Sequence, residues 1–586
     1  MIYSKIPLSQ TVVTLCKTHE VKHIVISPGS RNAPLTIGFT HDAYFSCYSI
    51  VDERCAAFFA LGLAQQLQEP VAVICTSGSA LLNYYPAVAE AFYSHIPLVV
   101  ISADRPKHLI DIGDGQTINQ KNVYGTHVLH NANLKLDLLE VEQGHPDQEV
   151  PILKSIENKL ERFLGLQKDI QSHNESEIHD ALTISKLHSG PVHINCPFDE
   201  PLYDTVEELS INPKPFKLQQ RVEKVDPFEI KSLLEVWHSA KRKMILVGVL
   251  PPNAIETQWI QEIADDDSVI VFTETTSNLH HPDFFPGIDK MIAPLDEDDF
   301  KALQPDVLFT FGGLVVSKKI KAFLRAYKPK FHAHIDLYGA NDTFFTLDKH
   351  IKLAPNAFLA AFLPQVTHHT KSTYKSTWLA VRQKRRKLQK AYLKNLPFSD
   401  FTVFYTLLKN LPRHSQLQVG NSSAIRYTQL FQVPKSVHVF CNRGTSGIDG
   451  STSTAIGASL GSDKRTTFIT GDLSFFYDSN ALWNAYIPQN FRIIVVNNEG
   501  GGIFRILPGQ KDTANFDCYF ETKHHLSASH LCKMYGFQYV SANDQDELNT
   551  ALETFYADSD APKLLEVFTP SQLNDKILLD FFKAVK

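Results

Sequence analysis

The sequence has no run of about 20 apolar residues able to span a bilayer. Its opening segment, MIYSKIPLSQ, lacks the apolar centre that a secretory leader needs. Cysteine is sparse, with eight residues and no Cys-x-x-Cys pair, which argues against a disulfide framework and for reduced thiols in a cytoplasmic setting. An excess of one charge is missing too. Lys plus Arg number 57 against 63 Asp plus Glu, so nothing draws the chain to nucleic acid, and basic residues that matter must act as local anion sites. The 25 histidines include the close pairs His332/His334, His368/His369 and His524/His525. None has the flanking pattern of a zinc site, and they read as structural or solvated.

What is present is an ordinary globular composition, 43% hydrophobic and 20% charged, over 586 residues. That length is too great for one core and suggests three or four units. Short runs rich in Val, Ile and Phe recur between helix-length segments. They are His23–Ser27, Val71–Thr76, Leu98–Ser102 and Val192–Cys196, then Met244–Val249, Val269–Thr273, Val307–Phe311 and His332–Asp336, then Leu417–Gly420, Val437–Cys441, Thr467–Thr470 and Ile493–Asn497. Strands that are apolar throughout belong to parallel sheets covered on both faces. The expected fold is α/β, with three doubly wound parallel-sheet domains over 1–200, 215–365 and 390–586. The proline-bearing stretch Glu200–Val222 reads as a linker, Val366–Asn395 as a second, and the basic run Arg382–Lys394 within it as a solvated helical face.

Two turns carry the most chemistry. Phe468–Leu473 is a strand ending in Gly471–Asp472, and Arg492–Asn498 is a strand ending in Asn497–Asn498. Asp472 and Asn498 are one βαβ crossover apart, so both fall at the carboxyl edge of neighbouring strands. A carboxylate with an amide oxygen is a hard-oxygen pair suited to Mg²⁺, and the backbone of Gly500–Gly502 can serve the same phosphate-bearing ligand. Earlier, Ile50–Ala57 runs from a strand-like lead through Asp52 and Glu53 into a small-residue helix start.

The Gly-Asp…Asn-Asn pair resembles the diphosphate-binding motif of thiamine-diphosphate-dependent enzymes. In that family an Asp, the second Asn and a nearby carbonyl hold the metal, which here implies Asp472, Asn498 and Gly500 as ligands of Mg²⁺ or Mn²⁺. The family motif commonly reads Gly-Asp-Gly, and Leu473 departs from it. Glu53 is similar in placement to the glutamate that bonds the aminopyrimidine of the cofactor and promotes loss of the thiazolium proton. The resemblance further implies that Ser422, Gly471, Leu473, Ser474, Ile503 and Phe504 line the cofactor, the last two as an apolar wall. It also names the three domains as pyrimidine-binding, central and diphosphate-binding.

Other turns narrow the branch: Ser27–Pro34, Thr76–Ala80, Ser102–Pro106, Asn195–Leu202, Gly420–Ser422 with Arg426, Asn442–Gly450 and Asn498–Phe504. Together they resemble the branch that couples 2-oxoglutarate to isochorismate in menaquinone biosynthesis. This implies decarboxylation of 2-oxoglutarate and 1,4-addition of the remaining carbanion to isochorismate, in a homodimer or homotetramer with active sites at the subunit interface. Ser30, Arg31, Arg105, Gln116, Lys318, Lys319, Ser422, Arg426, Arg443, Ile503 and Phe504 would face substrate, with Arg31 and Gln116 beside Glu53 in the catalytic set. Four substrate carboxylates explain the arginines, whose planar forks bind such groups bidentately. Another thiamine-diphosphate carboligase or 2-oxo acid decarboxylase is the alternative. A non-catalytic carboxylate-binding homologue is disfavoured by the intact acids, and a nicotinamide dehydrogenase by the missing Gly-x-Gly-x-x-Gly turn.

Overall fold

The computed structural model describes residues 2–137, 166–213, 223–367, 369–506, 509, 511 and 513–586. All of the apolar runs become strands, with ends that differ from expectation by a residue or two. They assemble into three parallel sheets. The first has the order Ser46–Ser49, His23–Ile26, Val71–Cys75, Leu98–Asp104, Val192–Pro197, Asn131–Asn133. The second runs Phe285–Pro286, Val269–Thr273, Lys243–Val247, Val307–Phe311, Phe331–Ile335, Lys349–Ile351. The third runs His438–Phe440, Gln416–Val419, Thr466–Gly471, Arg492–Asn497, Lys563–Phe568, Gln538–Ala542.

The strands are apolar throughout because both faces are covered. In the second sheet Ile245, Val247, Val271 and Phe309 enter one core, while Met244, Leu246, Ile270 and Leu308 enter another. Alternation along the strand therefore sorts residues between two cores rather than between core and water. Each such side chain contributes about 1.5–3 kcal/mol by burial. The α/β, doubly wound expectation holds for all three sheets.

The chain divides into two compact units. One comprises Met1–Arg221, Ser453–Asp463 and Asn480–Ile487, and holds the first sheet. The other comprises Val222–Thr452, Lys464–Ser479 and Pro488–Lys586, and holds the second and third. The chain first reverses its winding direction between His23–Ile26 and Val71–Cys75, between Lys243–Val247 and Val307–Phe311, and between Gln416–Val419 and Thr466–Gly471, and in the first and third sheets it reverses again at the last two strands. A crevice opens at the carboxyl ends of the strands at such a point, where ligands of open α/β sheets bind.

Two expectations change. Residues 214–222 and His368 lie outside the described residues, but the first linker is not all linker: Thr205–Val206 pairs antiparallel with Tyr3–Ser4. The run Arg382–Lys394, within helix Tyr374–Leu393, is only partly solvated. Arg385 is buried and donates to the carbonyls of Lys290 and Met291, and Arg382 donates to those of Pro282 and Phe284. A helical guanidinium that meets free carbonyls is worth more to them than to water.

Candidate active site

In the first unit the candidate residues lie in segments that follow the carboxyl ends of parallel strands, Ser46–Ser49 at the edge among them. Arg31 follows His23–Ile26 and is only 7% exposed. Its Nη1 donates to Phe198 O at 3.2 Å and its Nη2 to Glu200 Oε1 at 3.4 Å. Its Nε is buried and meets no acceptor among the described residues. Burial, then the charge of Arg105, holds Arg31 below its ordinary pKa. Arg105 follows Leu98–Asp104 and is fixed by Asp114 at 2.7 Å and Ser77 Oγ at 3.0 Å. Ser30 and Gln116 are exposed. Gln116 has φ +54°, and its carbonyl would lie 2.9 Å from a Cβ added at Gly78, which itself has φ +88°. Only glycine admits that approach.

Glu53 opens helix Glu53–Leu67 and is half-buried. Asp52, not Glu53, caps the helix, accepting from Cys55 N at 3.1 Å and from Asn480 Nδ2 at 2.9 Å. Glu53 is left with Asn83 Nδ2 at 3.4 Å. Beneath these turns, Gln120 bonds Gly78 N, Ala103 O and Asn195 Oδ1, and Asn195 donates to Asp104 at 2.8 Å. This buried network levels the three strand ends.

In the second unit Gly471 pairs with Val496, so the turns after those strands adjoin. Asp472 Oδ1 accepts from Leu473 N at 2.7 Å and Oδ2 from Gly500 N at 2.9 Å. His524 Nε2 lies 3.3 Å from Oδ2, and that carboxylate raises the imidazole above its usual pKa. Asn498 donates its amide to Asp400 Oδ2 at 3.0 Å. Asp400 is fully buried and pushed up to about 6, chiefly by burial, with Asp472 a further raising charge. Ser474 Oγ donates to Ile448 O at 3.0 Å. Ile503 and Phe504 sit in the short turn Gly502–Ile506, which Arg505 ties to buried Glu521.

The anion-facing turns of this unit meet as well. Ser422 has φ +65°, a strained conformation for a side chain-bearing residue, and accepts from Arg426 Nη1 at 2.9 Å. Arg443 Nη1 donates to Asn421 Oδ1 at 2.8 Å. The two guanidinium groups thus bond adjacent residues, Ser422 and Asn421, and burial, then the charge of Arg443, holds Arg426 below its ordinary pKa. Lys318 and Lys319 are exposed on helix Lys318–Ala326, Lys319 with its ammonium 5.1 Å over the Phe582 ring. Lys321, a turn further on, is held below its ordinary pKa by burial and then by the charge of Arg443.

Two stretches of the chain match models of thiamine pyrophosphate enzymes: residues 6–126 the N-terminal TPP binding domain, and residues 418–567 the C-terminal one. Three relatives match over the full length of both chains, at 54% identity in Flavobacterium johnsoniae, 53% in Christiangramia forsetii and 52% in Flavobacterium psychrophilum. Each is a 2-succinyl-5-enolpyruvyl-6-hydroxy-3-cyclohexene-1-carboxylate synthase. The chain belongs to that synthase family. A solved thiamine diphosphate-dependent 4-hydroxybenzoylformate decarboxylase from Rhodococcus jostii shares the fold. It aligns at TM-score 0.65 and 17% identity, over 96% of this chain and 99% of that one.

The residues present fit the cofactor of this synthase family. Asp472 spends one lone pair of each oxygen on a backbone N–H and keeps the others for a cation. The bond to Asp400 orients the Asn498 amide and leaves its oxygen to the metal side. A Cβ added at Gly471 would meet no atom within 4 Å, so the space beside Asp472 is open to a phosphate. A divalent cation would also relieve the repulsion between Asp472 and buried Asp400. Asp400, Asn421, Gln120 and His524 went unrecognised as site residues in the sequence. Asn421 and His524 had signals, one inside a quoted motif and one in a histidine pair; Asp400 and Gln120 had none.

Proposed function

We propose that the chain is a thiamine-diphosphate- and Mg²⁺-dependent synthase. It releases CO₂ from 2-oxoglutarate and adds the remaining four-carbon unit to isochorismate, giving 2-succinyl-5-enolpyruvyl-6-hydroxy-3-cyclohexene-1-carboxylate for menaquinone biosynthesis. The observation that carries this is identity of 52–54% to three such synthases along the whole chain. Buried or half-buried arginines in the segments that follow the strands support it, since a dicarboxylate pair needs them.

Bound thiamine diphosphate supplies a carbon nucleophile and an electron sink. The side chains do the rest. Glu53 holds and exchanges a proton at its carboxyl oxygen against the aminopyrimidine. Asp472, Asn498 and the Gly500 carbonyl hold Mg²⁺, while Ser422, Gly471, Leu473 and Ser474 border the diphosphate. Ile503 and Phe504 exclude water from the reacting carbon. Arg31, Arg105, Arg426 and Arg443, with Ser30, Gln116, Lys318 and Lys319, bind and orient substrate carboxylates, Arg31 and Gln116 close to the reacting atoms. The pyrimidine-binding, central and diphosphate-binding domains are 1–200, 215–365 and 390–586. The working form is a cytoplasmic homodimer or homotetramer with sites at the subunit interface. Among the described residues no helix is long and apolar enough to cross a membrane.

The test supplies purified protein with cofactor, Mg²⁺ and 2-oxoglutarate, with and without isochorismate. The six-membered-ring adduct is expected to form in step with CO₂. CO₂ without adduct would reduce the activity to decarboxylation, and neither would remove the proposal.

A further inference from the structure

One buried and one half-buried carboxylate of the second unit converge on one residue. Glu274, just past strand Val269–Thr273, accepts from Val316 N at 2.7 Å and from Ser317 N at 2.9 Å. Asp289, in helix Ile288–Ile292, accepts from the Ser317 hydroxyl. Ser317 Oγ in turn accepts from Ile320 N at 3.1 Å and caps helix Lys318–Ala326, which opens on Lys318 and Lys319. Capping needs the serine alone, so the helix does not require either acid behind it.

The same acids face the arginine turns. Arg443 acts on Glu274, and both Lys319 and Arg426 act on Asp289. Next to Glu274, Thr275 N donates to Gln429 Oε1 at 2.9 Å, in the same helix, Ser423–Leu430, as Arg426. Arg426 and Arg443 stand close enough for one to depress the other. Two guanidinium groups held side by side with no anion between them repel, and a buried carboxylate survives only where hydrogen bonds and cations repay its lost water. Each half supplies what the other lacks.

We propose that Glu274 and Asp289 are positioning residues of the substrate anion site. Clamped on Ser317, they fix the lysine-bearing helix, and as counter-charges they hold Arg443 and Arg426 together, so that cations from two sheets receive one small dicarboxylate. The inference rests on the reading that Arg426 and Arg443 meet substrate. Neither acid touches substrate; both act through the cations.

The test is steady-state kinetics of the holoenzyme at pH 8, varying 2-oxoglutarate and isochorismate in turn, with thiamine diphosphate affinity measured separately. Glu274→Gln should raise KM for one substrate about tenfold, keep kcat within about threefold, and leave cofactor affinity unchanged. Combined with Arg443→Ala, its effect should be much less than multiplicative. Ser317→Ala, which keeps both acids but removes their clamp and the cap of helix Lys318–Ala326, should move the same KM in the same direction. If Arg443→Ala raises KM while Glu274→Gln and Ser317→Ala leave it unmoved, the positioning role is overturned and the substrate assignment stands. Lost stability with unchanged KM overturns it equally. If Arg443→Ala and Arg426→Ala leave both KM values unchanged, the substrate assignment fails and takes this inference with it.

Discussion

Glu53 and Asp472 open helices in two different sheets, Glu53 after an edge strand and Asp472 after an interior one. Each is the first residue of a helix that follows a parallel strand, Ser46–Ser49 in one case and Thr466–Gly471 in the other. Their surroundings differ. Asp472 is 3% exposed, with both oxygens fixed by backbone N–H groups. Glu53 is half-buried and, among the described residues, has one long hydrogen bond, from Asn83 Nδ2, while its neighbour Asp52 does the capping. A group that holds a cation gains from being set in place beforehand, because its ordering is then not charged to binding. A group that exchanges a proton must keep an oxygen unspent. The contrast fits the proposed division, with Asp472 holding a cation and Glu53 exchanging a proton.

The largest expected effect sharpens the Glu53 side. Glu53→Gln keeps shape and removes the exchangeable carboxyl proton, so kcat should fall by about 10²–10⁴ with cofactor affinity within a few-fold, as read by turnover and calorimetry. On the Asp472 side, Asp400→Asn disturbs the group that orients Asn498. It should weaken Mg²⁺ binding by about 10- to 100-fold while kcat at saturating metal stays near wild type; equal loss at all metal concentrations would blur the division.

A third prediction concerns an acid outside both turns. Burial pushes Glu274 up to about 7 from 4.5, opposed by backbone N–H groups and Arg443 and reinforced by Asp289; Lys321 also faces it. A raised carboxyl favours the folded state most below its unfolded pKa, and that advantage is lost as pH rises through the folded one. The Tm of wild type minus that of Glu274→Gln should therefore fall between pH 4.5 and 7, by roughly 3 °C, and then level off. The smallest effect should come from Glu200→Gln. Glu200 is 56% exposed and 3.4 Å from Arg31, so Tm should change by less than about 1 °C.

How much of this was legible depends on where each residue finds its partners. The central strands were readable because burial on two faces leaves unbroken apolar runs. Edge strands other than His438–Phe440, such as Asn131–Asn133, were not, since pairing on one side asks little of the side chains. Lys563–Phe568 is interior yet was missed because Glu566 interrupts it. That acid is fully buried, satisfied by Asn497, Ser527, Ala528 and Tyr539. The sequence after Glu521 thus completes the third sheet. Asp472 and Asn498 were readable because they end strands one crossover apart. Asp400 lies 98 positions from Asn498, and Glu274 lies 42 from Val316; no local pattern records such a meeting.

The division between holding and proton exchange is tested most directly by titrating Mg²⁺ and thiamine diphosphate into wild type, Glu53→Gln and Asp472→Asn while following adduct formation. Asp472→Asn should recover much of its turnover as metal and cofactor rise. Glu53→Gln should stay about 10²–10⁴ below wild type at every concentration. Rescue of Glu53→Gln by excess Mg²⁺ and cofactor, with Asp472→Asn inactive throughout, would contradict the account.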